Sequence, residues 1–228
     1  MTDLHALLAP VKCVLFDFDG PVCRLYDGYP AAGVAEGLRE WVLAEGYELG
    51  TAARRTDDPM VLLLDIGRRY GHGGVVEEVE ARLTAHEVVA VGSAEPTPDA
   101  VELIRALKAV GASLAITSNN SPEAVTSYLT GRDLRSCFGP HIYGRTRDLA
   151  RLKPDPDCVL RALASTGAAA ADALMIGDTP EDCEAAREAG VTFLGFARNA
   201  SKGKLLNAAG AQHVVGALRP LLDAVRTR

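Results

Sequence analysis

The chain has 228 residues, of which 48% are hydrophobic and 24% are charged. These proportions are typical of soluble globular proteins, and they exclude a disordered, collagen-like or coiled-coil chain. The formal net charge of −6 gives no overall basic character, so we expect no nucleic-acid partner.

The sequence shows neither a secretion signal nor a membrane-spanning segment. The first residues, MTDLHALLAP, have no basic region before an apolar stretch, and no apolar run approaches the roughly 18 to 20 residues that cross a bilayer. The five cysteines are widely spaced and form no C-x-x-C pair, which favours reduced thiols. We therefore expect a soluble, cytoplasmic protein with no membrane partner; nothing in the sequence predicts its oligomeric state.

The first predicted strand carries two aspartates at its carboxyl end. Residues 13–18 form a short apolar run rich in strand formers, which the turn-forming sequence DGP ends. Asp17 and Asp19 therefore lie where a buried strand passes into a tight loop.

Residues 21–92, called the insertion below, contain helical patterns and no clear strand. The three predicted helices span residues 34–44, 60–70 and 75–91. We interpret the insertion as a helical domain placed directly after the first strand. Residues 1–20 and 93–228 then form one core domain.

From Thr97 onward, predicted strands and helices alternate. The predicted strands are residues 113–118, 142–143, 174–176, 192–196 and 213–215. The helix starts are Thr97-Pro98-Asp99, Ser121-Pro122, Asp155-Pro156 and Thr179-Pro180, and a last helix spans 218–225. Asp182 can complete a capping box with Thr179. The alternation predicts an α/β fold with a doubly wound, mostly parallel sheet, which binds ligands at the carboxyl ends of its strands.

Four polar clusters lie at the carboxyl ends of predicted strands or in the loops beyond them. They are Asp17 with Asp19, Thr117 to Asn120, Lys153, and Asp178 with Asp182. Because these strand ends converge on one crevice, residues far apart in sequence can share a site there. Several carboxylates in one crevice repel each other unless a hard cation or a lysine compensates them. The clusters therefore predict a Mg²⁺ site.

This set of groups suits phosphoryl transfer. One carboxylate can attack phosphorus and form an acyl-phosphate, which divides the displacement into two easier steps. A second carboxylate two residues later can protonate the leaving oxygen and then activate water. A hydroxyl and a lysine can hold the transferring group while other carboxylates bind the metal.

The order DFDG, LAITSNN, KPDP and MIGDTPED resembles the four-motif signature of the haloacid dehalogenase superfamily. The resemblance covers essentially the whole chain, and residues 95–120 and 153–190 are similar to its phosphoglycolate phosphatase-like branch. It implies a Rossmann-like core, with the insertion as a small cap over the site. It also implies a Mg²⁺-dependent phosphatase that cleaves a small phosphorylated metabolite through an aspartyl-phosphate.

The resemblance also implies a role for each acidic residue of the motifs. Asp17 would be the nucleophile and a Mg²⁺ ligand, and Asp19 the general acid/base whose backbone carbonyl also binds the metal. Lys153 would neutralise Asp17 and the phosphoryl group. Asp178 would bind Mg²⁺, with Asp182 as a further ligand or an outer anchor.

The second motif leaves two candidates for the phosphoryl-binding hydroxyl. Aligning the following Asn119 favours Ser118, and a shift of one residue gives Thr117. Asn119 and Gly20 are further candidates for phosphate binding. Pro21 stands where the family usually has Thr or Val, and its fixed φ predicts a stiffer loop beyond Asp19 rather than an inactive site.

Particular residues argue for or against the other reactions that this family catalyses. A hydrolytic dehalogenase needs no Mg²⁺ site, so the carboxylates of the first and fourth motifs argue against it. A phosphonate hydrolase forms a Schiff base with a cap lysine, and the insertion has no lysine. A phosphosugar mutase stays open, as does, from another class, a non-catalytic phospho-accepting or binding protein.

Some residues of the insertion are candidates for substrate recognition. The pairs Arg54-Arg55 and Arg68-Arg69 can bind an anion, because guanidinium groups match carboxylate and phosphate oxygens. Exposed helix arginines without such a role are commoner. Arg24 and Tyr26 follow the first loop closely enough to face the site.

Overall fold

The computed structural model describes residues 3–227. The α-helices are α1 Leu4–Leu8, α2 Ala31–Ala44, α3 Pro59–Tyr70, α4 Val75–Val91, α5 Ala100–Ala109, α6 Pro122–Gly131, α7 Arg135–Phe138, α8 Asp157–Thr166, α9 Pro180–Glu188, α10 Ala200–Ala208 and α11 Arg219–Arg226. The strands are β1 Cys13–Phe16, β2 Cys23–Arg24, β3 Glu95–Pro96, β4 Ser113–Thr117, β5 Ile142–Tyr143, β6 Ala173–Gly177, β7 Thr192–Phe196 and β8 His213–Val215. Short 3₁₀ turns span Leu149–Arg151 and Ala170–Asp172.

The main sheet of the described chain has six parallel strands in the order β5-β4-β1-β6-β7-β8. Phe16 of β1 lies beside Ile116 of β4 and Ile176 of β6, so β1 is central. The chain passes from β1 to β4 on one side and later to β6 on the other, and a crevice opens at such a reversal. The predicted doubly wound, Rossmann-like α/β fold is confirmed.

The strands are apolar on both faces because helices cover both sides of the sheet. Alternate residues of a strand point to opposite faces. Val14 and Phe16 therefore pack in one hydrophobic layer, with α5 and α11. Leu15 and Met175 pack in the other layer, with α8 and α9. This two-sided burial holds β1 in place and fixes the position of the residues that follow it.

The insertion builds a third hydrophobic core from α2, α3 and α4. Leu38, Ile66 and Leu83 lie at its centre and are almost completely buried. The ends of the insertion instead pack into the layer beside the sheet, where Leu25 and Ala90 are fully buried. The three predicted helices are confirmed, and the division into two domains at residues 20 and 92 stays a prediction.

One short strand, β2, lies in the insertion, where no strand is clear from the sequence. Cys23 pairs with Pro96 and Arg24 with Glu95 in an antiparallel arrangement, so the two ends of the insertion are joined at its base. Two residues are too few for the alternating pattern that identifies a strand in a sequence.

Helix starts were predicted well where a capping residue marks them. Thr179 and Asp182 form the expected capping box at α9, and the side chain of Ser121 caps α6. Helix α10 has no clear signal in the sequence, because it buries only Leu206 and so lacks a clear apolar stripe. No helix within residues 3–227 is both long and apolar enough to cross a membrane.

Candidate active site

The structure brings the four predicted clusters together at the carboxyl end of the central strands. Asp17 directly follows β1, Ser118 follows β4, and Asp178 follows β6. Lys153 reaches the same place from the loop before α8, where its ammonium contacts Asp17. All four residues are at least nine-tenths buried.

Lys153 is the cation at the centre of this site. Its Nζ donates to Asp17 Oδ1 at 2.8 Å, to the Thr117 carbonyl at 2.9 Å and to Asp182 Oδ1 at 2.5 Å. Burial lowers the pKa of Lys153, but the carboxylates of Asp17 and Asp182 outweigh that effect and raise it overall. The lysine therefore stays charged, and its three protons are all directed to oxygen acceptors.

Asp17 lies in a buried and strongly acidic environment. Burial and the neighbouring carboxylates of Asp182 and Asp178 raise the pKa of Asp17 to about 7, although Lys153 opposes this. Such a carboxylate needs a further positive charge to be fully ionised at neutral pH. Ionisation is also what a nucleophilic carboxylate requires.

Asp178 lies close to Asp17 and has one oxygen without a partner. Carboxylate oxygens of Asp17, Asp178 and Asp182 all lie within 4.8 Å of one another. The Lys202 ammonium contacts Asp178 Oδ2, whereas Asp178 Oδ1 is buried and has no hydrogen-bond partner among the described residues. Burial raises the pKa of Asp178 to about 6 despite Lys202.

Asp182 is already occupied by neighbouring donors. Its Oδ2 accepts hydrogen bonds from the backbone N–H groups of Asp178 and Thr179, both at 3.0 Å, and from Thr179 Oγ1 at 2.9 Å. Its Oδ1 accepts from Lys153. Asp182 therefore fixes the loop that carries Asp178 and also anchors Lys153.

Gly20 provides space for Asp178. Its φ is +124°, and a Cβ there would lie 2.5 Å from the Asp178 carboxyl carbon, so a side chain has no room. The Gly20 N–H donates to the Cys23 carbonyl at 2.7 Å. The predicted phosphate contact of Gly20 stays a prediction, and its N–H already has an acceptor.

Asp19 lies in the loop after β1 and lines the same cavity as Asp17. Its Oδ1 accepts the backbone N–H of Leu25 at 2.9 Å, which fixes the orientation of the carboxyl group. Burial raises the pKa of Asp19 to about 6, and the Leu25 N–H opposes this. A carboxyl group that titrates near 6 is suited to proton transfer in both directions near neutral pH.

The second motif distinguishes Ser118 from Thr117. Ser118 lines the cavity beside Asp17, and its Oγ donates to Asn120 Oδ1 at 3.1 Å. Thr117 Oγ1 is buried without a hydrogen-bond partner among the described residues. Asn119 uses its side-chain amide to hold the backbone of Lys153, at 2.9 and 3.1 Å. This geometry favours Ser118 as the hydroxyl that contacts a substrate.

A buried ion pair that the sequence does not predict lies beside the site. Arg145 donates to both carboxylate oxygens of Glu87 on α4, each at 2.9 Å, and to the Asn119 carbonyl at 3.0 Å. Glu87 also accepts from Asn120 Nδ2 at 3.0 Å and from the Ser121 N–H at 2.9 Å. The pair thus joins the insertion to the loop that carries Ser118. A glutamate on the apolar face of α4, four residues after Leu83, was the available signal.

A cavity of about 300 Å³ lies between this cluster and the insertion. Asp17, Asp19 and Ser118 line it from the sheet, and Tyr26 lines it from the first loop, as the sequence suggested. The described residues that line the cavity do not include Arg24 or the pairs Arg54-Arg55 and Arg68-Arg69. The cavity therefore gives no support to these arginines as candidates for substrate recognition.

Comparison with characterised sequences adds a family assignment. The sequence model of the haloacid dehalogenase-like hydrolase family matches residues 11–190 of this chain. Phosphoglycolate phosphatase 1 of Pseudomonas aeruginosa is 30% identical over 224 residues, which cover 92% of this chain and 78% of the relative. The phosphoglycolate phosphatase of Rhodospirillum rubrum is 30% identical over 188 residues, which cover 79% and 77%.

Solved structures show the same fold. CbbY from Rhodobacter sphaeroides, in complex with phosphate, has a TM-score of 0.71 and 19% identity and covers 95% of this chain and 99% of its own. A predicted phosphatase from Clostridium acetobutylicum has a TM-score of 0.69 and 18% identity, with 96% and 99% covered. The family match over most of the chain confirms the enzyme class predicted from the motifs, and the chain belongs to the haloacid dehalogenase-like hydrolases.

Proposed function

We propose that this protein is a Mg²⁺-dependent phosphatase that hydrolyses a small-molecule phosphate monoester through an aspartyl-phosphate on Asp17. The observation that carries the proposal is the placement of Lys153 between two buried carboxylates, with Ser118 lining the same cavity. The names of the relatives, which are phosphoglycolate phosphatases, support the reaction class.

The acidic residues fit a divalent cation. Asp178 Oδ1 is a buried carboxylate oxygen that lacks a partner, and oxygens of three aspartates lie close together. Hard oxygen ligands of this kind are what Mg²⁺ prefers. We assign Asp17, Asp178 and the Asp19 carbonyl as its ligands, because the oxygens of Asp182 are occupied by other donors. Bound there, Mg²⁺ would offset the negative charge of the phosphoryl group.

In the first step, a carboxylate oxygen of Asp17 attacks phosphorus and the bond to the ester oxygen breaks. Asp19 gives its proton to that oxygen, so the product leaves as a neutral alcohol. The Ser118 hydroxyl binds an oxygen of the transferring group, and the positive charge of Lys153, which is held against Asp17, stabilises the negative charge there. A pKa of about 6 leaves enough of the Asp19 carboxyl protonated for this role.

In the second step, water attacks the phosphorus of the aspartyl-phosphate. Asp19, now ionised, accepts a proton from the water while the bond between phosphorus and the Asp17 oxygen breaks. Inorganic phosphate leaves, and both aspartates return to their starting forms. Lys153 stays charged throughout, because its carboxylate neighbours keep its pKa high.

The test is release of inorganic phosphate from an aryl phosphate, in the presence and absence of Mg²⁺. Wild-type protein should turn over with Mg²⁺ and stop in excess chelator. Asp17→Asn should abolish turnover, since an amide oxygen is a poor nucleophile, whereas Asp223→Asn on the exposed face of α11 should not. Absence of turnover across a broad panel of phosphate monoesters would contradict the proposal.

A further inference from the structure

The cavity in front of Asp17 has a polar end and an apolar end. Ser118 and Lys153 form the polar end at the sheet. The insertion contributes apolar side chains, namely Met60, Val61 and Leu64 of α3 and Leu83 of α4, beside the acidic side chains of Asp58 and Glu87. A phosphate ester with its phosphoryl group at Asp17 would therefore place its alcohol part against hydrocarbon.

Positive charge is scarce around this cavity. Lys153 is the one cationic side chain among the described residues that line it, and its ammonium already contacts Asp17 and Asp182. The other charged residues of the wall are acidic. Glu87 is paired with Arg145, whereas Asp58 and Glu181 are exposed and have no ion-pair partner among the described residues. A second anionic group on the substrate would have no cation to bind.

The arginines of the insertion and of the loops near the cavity do not supply it with a free positive charge. Arg69 pairs with Asp65, at 3.1 Å, and Arg54 Nε donates to the Leu49 carbonyl at 2.9 Å. Arg24 and Arg198 line a neighbouring depression, together with four aspartates, Asp19, Asp27, Asp57 and Asp58. The acidic groups therefore outnumber the cations there as well.

Building on the phosphatase function above, we propose that the substrate is the phosphate ester of an alcohol with an apolar body and no second anionic group. Burying a carboxylate against Met60 and Val61 without a partner is unfavourable, because neither side chain replaces the lost hydration. An apolar alcohol instead gains by leaving water. The α3 wall of the cavity thus determines specificity, and it disfavours phosphoglycolate, whose alcohol part carries a carboxylate.

Two pairs of substrates of matched size test the proposal. Propyl phosphate is compared with phosphoglycolate, and 4-isopropylbenzyl phosphate, whose branched substituent has the size of a carboxylate, with 4-carboxybenzyl phosphate, by measuring kcat/KM with Mg²⁺ for each. We expect the uncharged member of each pair to be preferred by roughly 10- to 100-fold, the ratio that corresponds to the cost of an unpaired polar group.

A charge placed on the apolar wall should reverse this preference. Val61→Arg introduces a guanidinium into the cavity and should raise kcat/KM for phosphoglycolate while lowering it for propyl phosphate. Val89→Arg is the matched control, since Val89 is 59% exposed on α4 and does not line the cavity. The control should leave both values near those of the wild type.

The possible results separate this inference from the proposed function. Hydrolysis of the carboxylate-bearing member equally well or better would overturn the inference while the phosphatase function stands. Failure to hydrolyse any of the four esters, while another monoester is hydrolysed with Mg²⁺, would also overturn the inference alone. Absence of turnover across the whole panel of phosphate monoesters, in a protein that is folded, would overturn the phosphatase function and this inference with it. Preference for both uncharged esters, reversed by Val61→Arg alone, would support it.

Discussion

At the level of single residues, the site depends on one lysine that satisfies three oxygens. Lys153 is only 5% exposed, and its ammonium contacts Asp17, Asp182 and the Thr117 carbonyl. A buried charge is tolerated only when it is paired and hydrogen-bonded in this way. Lys153 is the only cation among the described residues of the cavity wall. The same contacts fix its distance from Asp17 without the help of a metal ion or a substrate.

The two hydroxyls of the second motif allow a sharp comparison. Ser118→Ala should lower kcat by roughly 100-fold, because a donor to the transferring phosphoryl group is lost. Thr117→Val should leave kcat and stability nearly unchanged, because Thr117 Oγ1 has no partner in the described structure and its backbone carbonyl still accepts from Lys153. Steady-state kinetics and thermal denaturation of both variants measure these effects.

The opposite pattern would show that the assignment is shifted by one residue. A large loss of kcat in Thr117→Val, together with normal activity in Ser118→Ala, would identify Thr117 as the phosphoryl-binding hydroxyl.

The positions of Asp17, Asp19 and Asp178 at strand ends could be predicted because each follows a short apolar run. The partners that complete their environment could not. Lys202 contacts Asp178 from a helix without a clear apolar stripe, and Arg145 lies 58 residues beyond Glu87 in the chain. Such long-range ion pairs depend on how the helices and loops pack. The sequence around Lys202 or Arg145 contains no local pattern that predicts the partner.

At the level of elements, the insertion is fixed to the sheet by α4. This helix packs against α6 and places the carboxylate of Glu87 at the start of α6, where it accepts the Ser121 N–H. A negative charge at a helix N-terminus is favourable because the backbone N–H groups there carry partial positive charge. Arg145 then neutralises Glu87 from the side.

Breaking this pair should be costly. Arg145→Met leaves the Glu87 carboxylate buried without its cation, and we expect the free energy of unfolding to fall by about 3 to 5 kcal/mol. Arg69→Met removes the same chemical group from a more exposed pair with Asp65 and should cost about 1 kcal/mol or less. Equilibrium denaturation with urea measures both changes.

Equal losses in the two arginine variants would argue against a special role for the buried pair. A loss of about 1 kcal/mol or less for Arg145→Met would also argue against a special role, since exposed ion pairs contribute that much to stability.

Elements with strong local signals were predicted, and short ones were not. The helices of the insertion show their apolar faces, and Thr179, Ser121 and Gly167 mark helix ends through side-chain caps or a left-handed conformation. The two-residue strands β2 and β3 have no period to detect, because tertiary packing alone pairs them.

At the level of the whole molecule, the acidic cluster makes stability depend on pH and on metal. Burial raises the pKa values of Asp17 to about 7 and of Asp19 and Asp178 to about 6, above the ordinary value of 3.8. Folding therefore favours the protonated forms of these three carboxyl groups. Their contribution to stability is complete below about pH 4 and is lost as the pH rises through 6 to 7 in the metal-free protein.

Mg²⁺ should therefore raise the melting temperature more at pH 8 than at pH 5. It binds the ionised carboxylates, which the metal-free folded state disfavours, so its stabilising effect grows as they lose their protons. Thermal denaturation with Mg²⁺ and with chelator, at both pH values, measures the difference.

Asp178→Asn is the control for this experiment, because it removes a proposed ligand charge. Its melting temperature should respond weakly to Mg²⁺ at either pH. A wild-type response that is the same at pH 5 and pH 8, or that survives unchanged in Asp178→Asn, would speak against the assigned metal site.

The proposed mechanism requires that Asp17 carries the phosphoryl group during turnover. Its most direct test uses Asp19→Asn, in which the base for the second step is lost while an aryl phosphate, a good leaving group, still allows the first step. The variant is incubated with Mg²⁺ and the aryl phosphate, quenched in acid and analysed by peptide mass spectrometry. We predict one added phosphoryl group on the peptide that contains Asp17, absent when Asp17 is also replaced by Asn. A phosphoryl group on another residue, or full wild-type turnover by Asp19→Asn with no adduct, would rule out this mechanism.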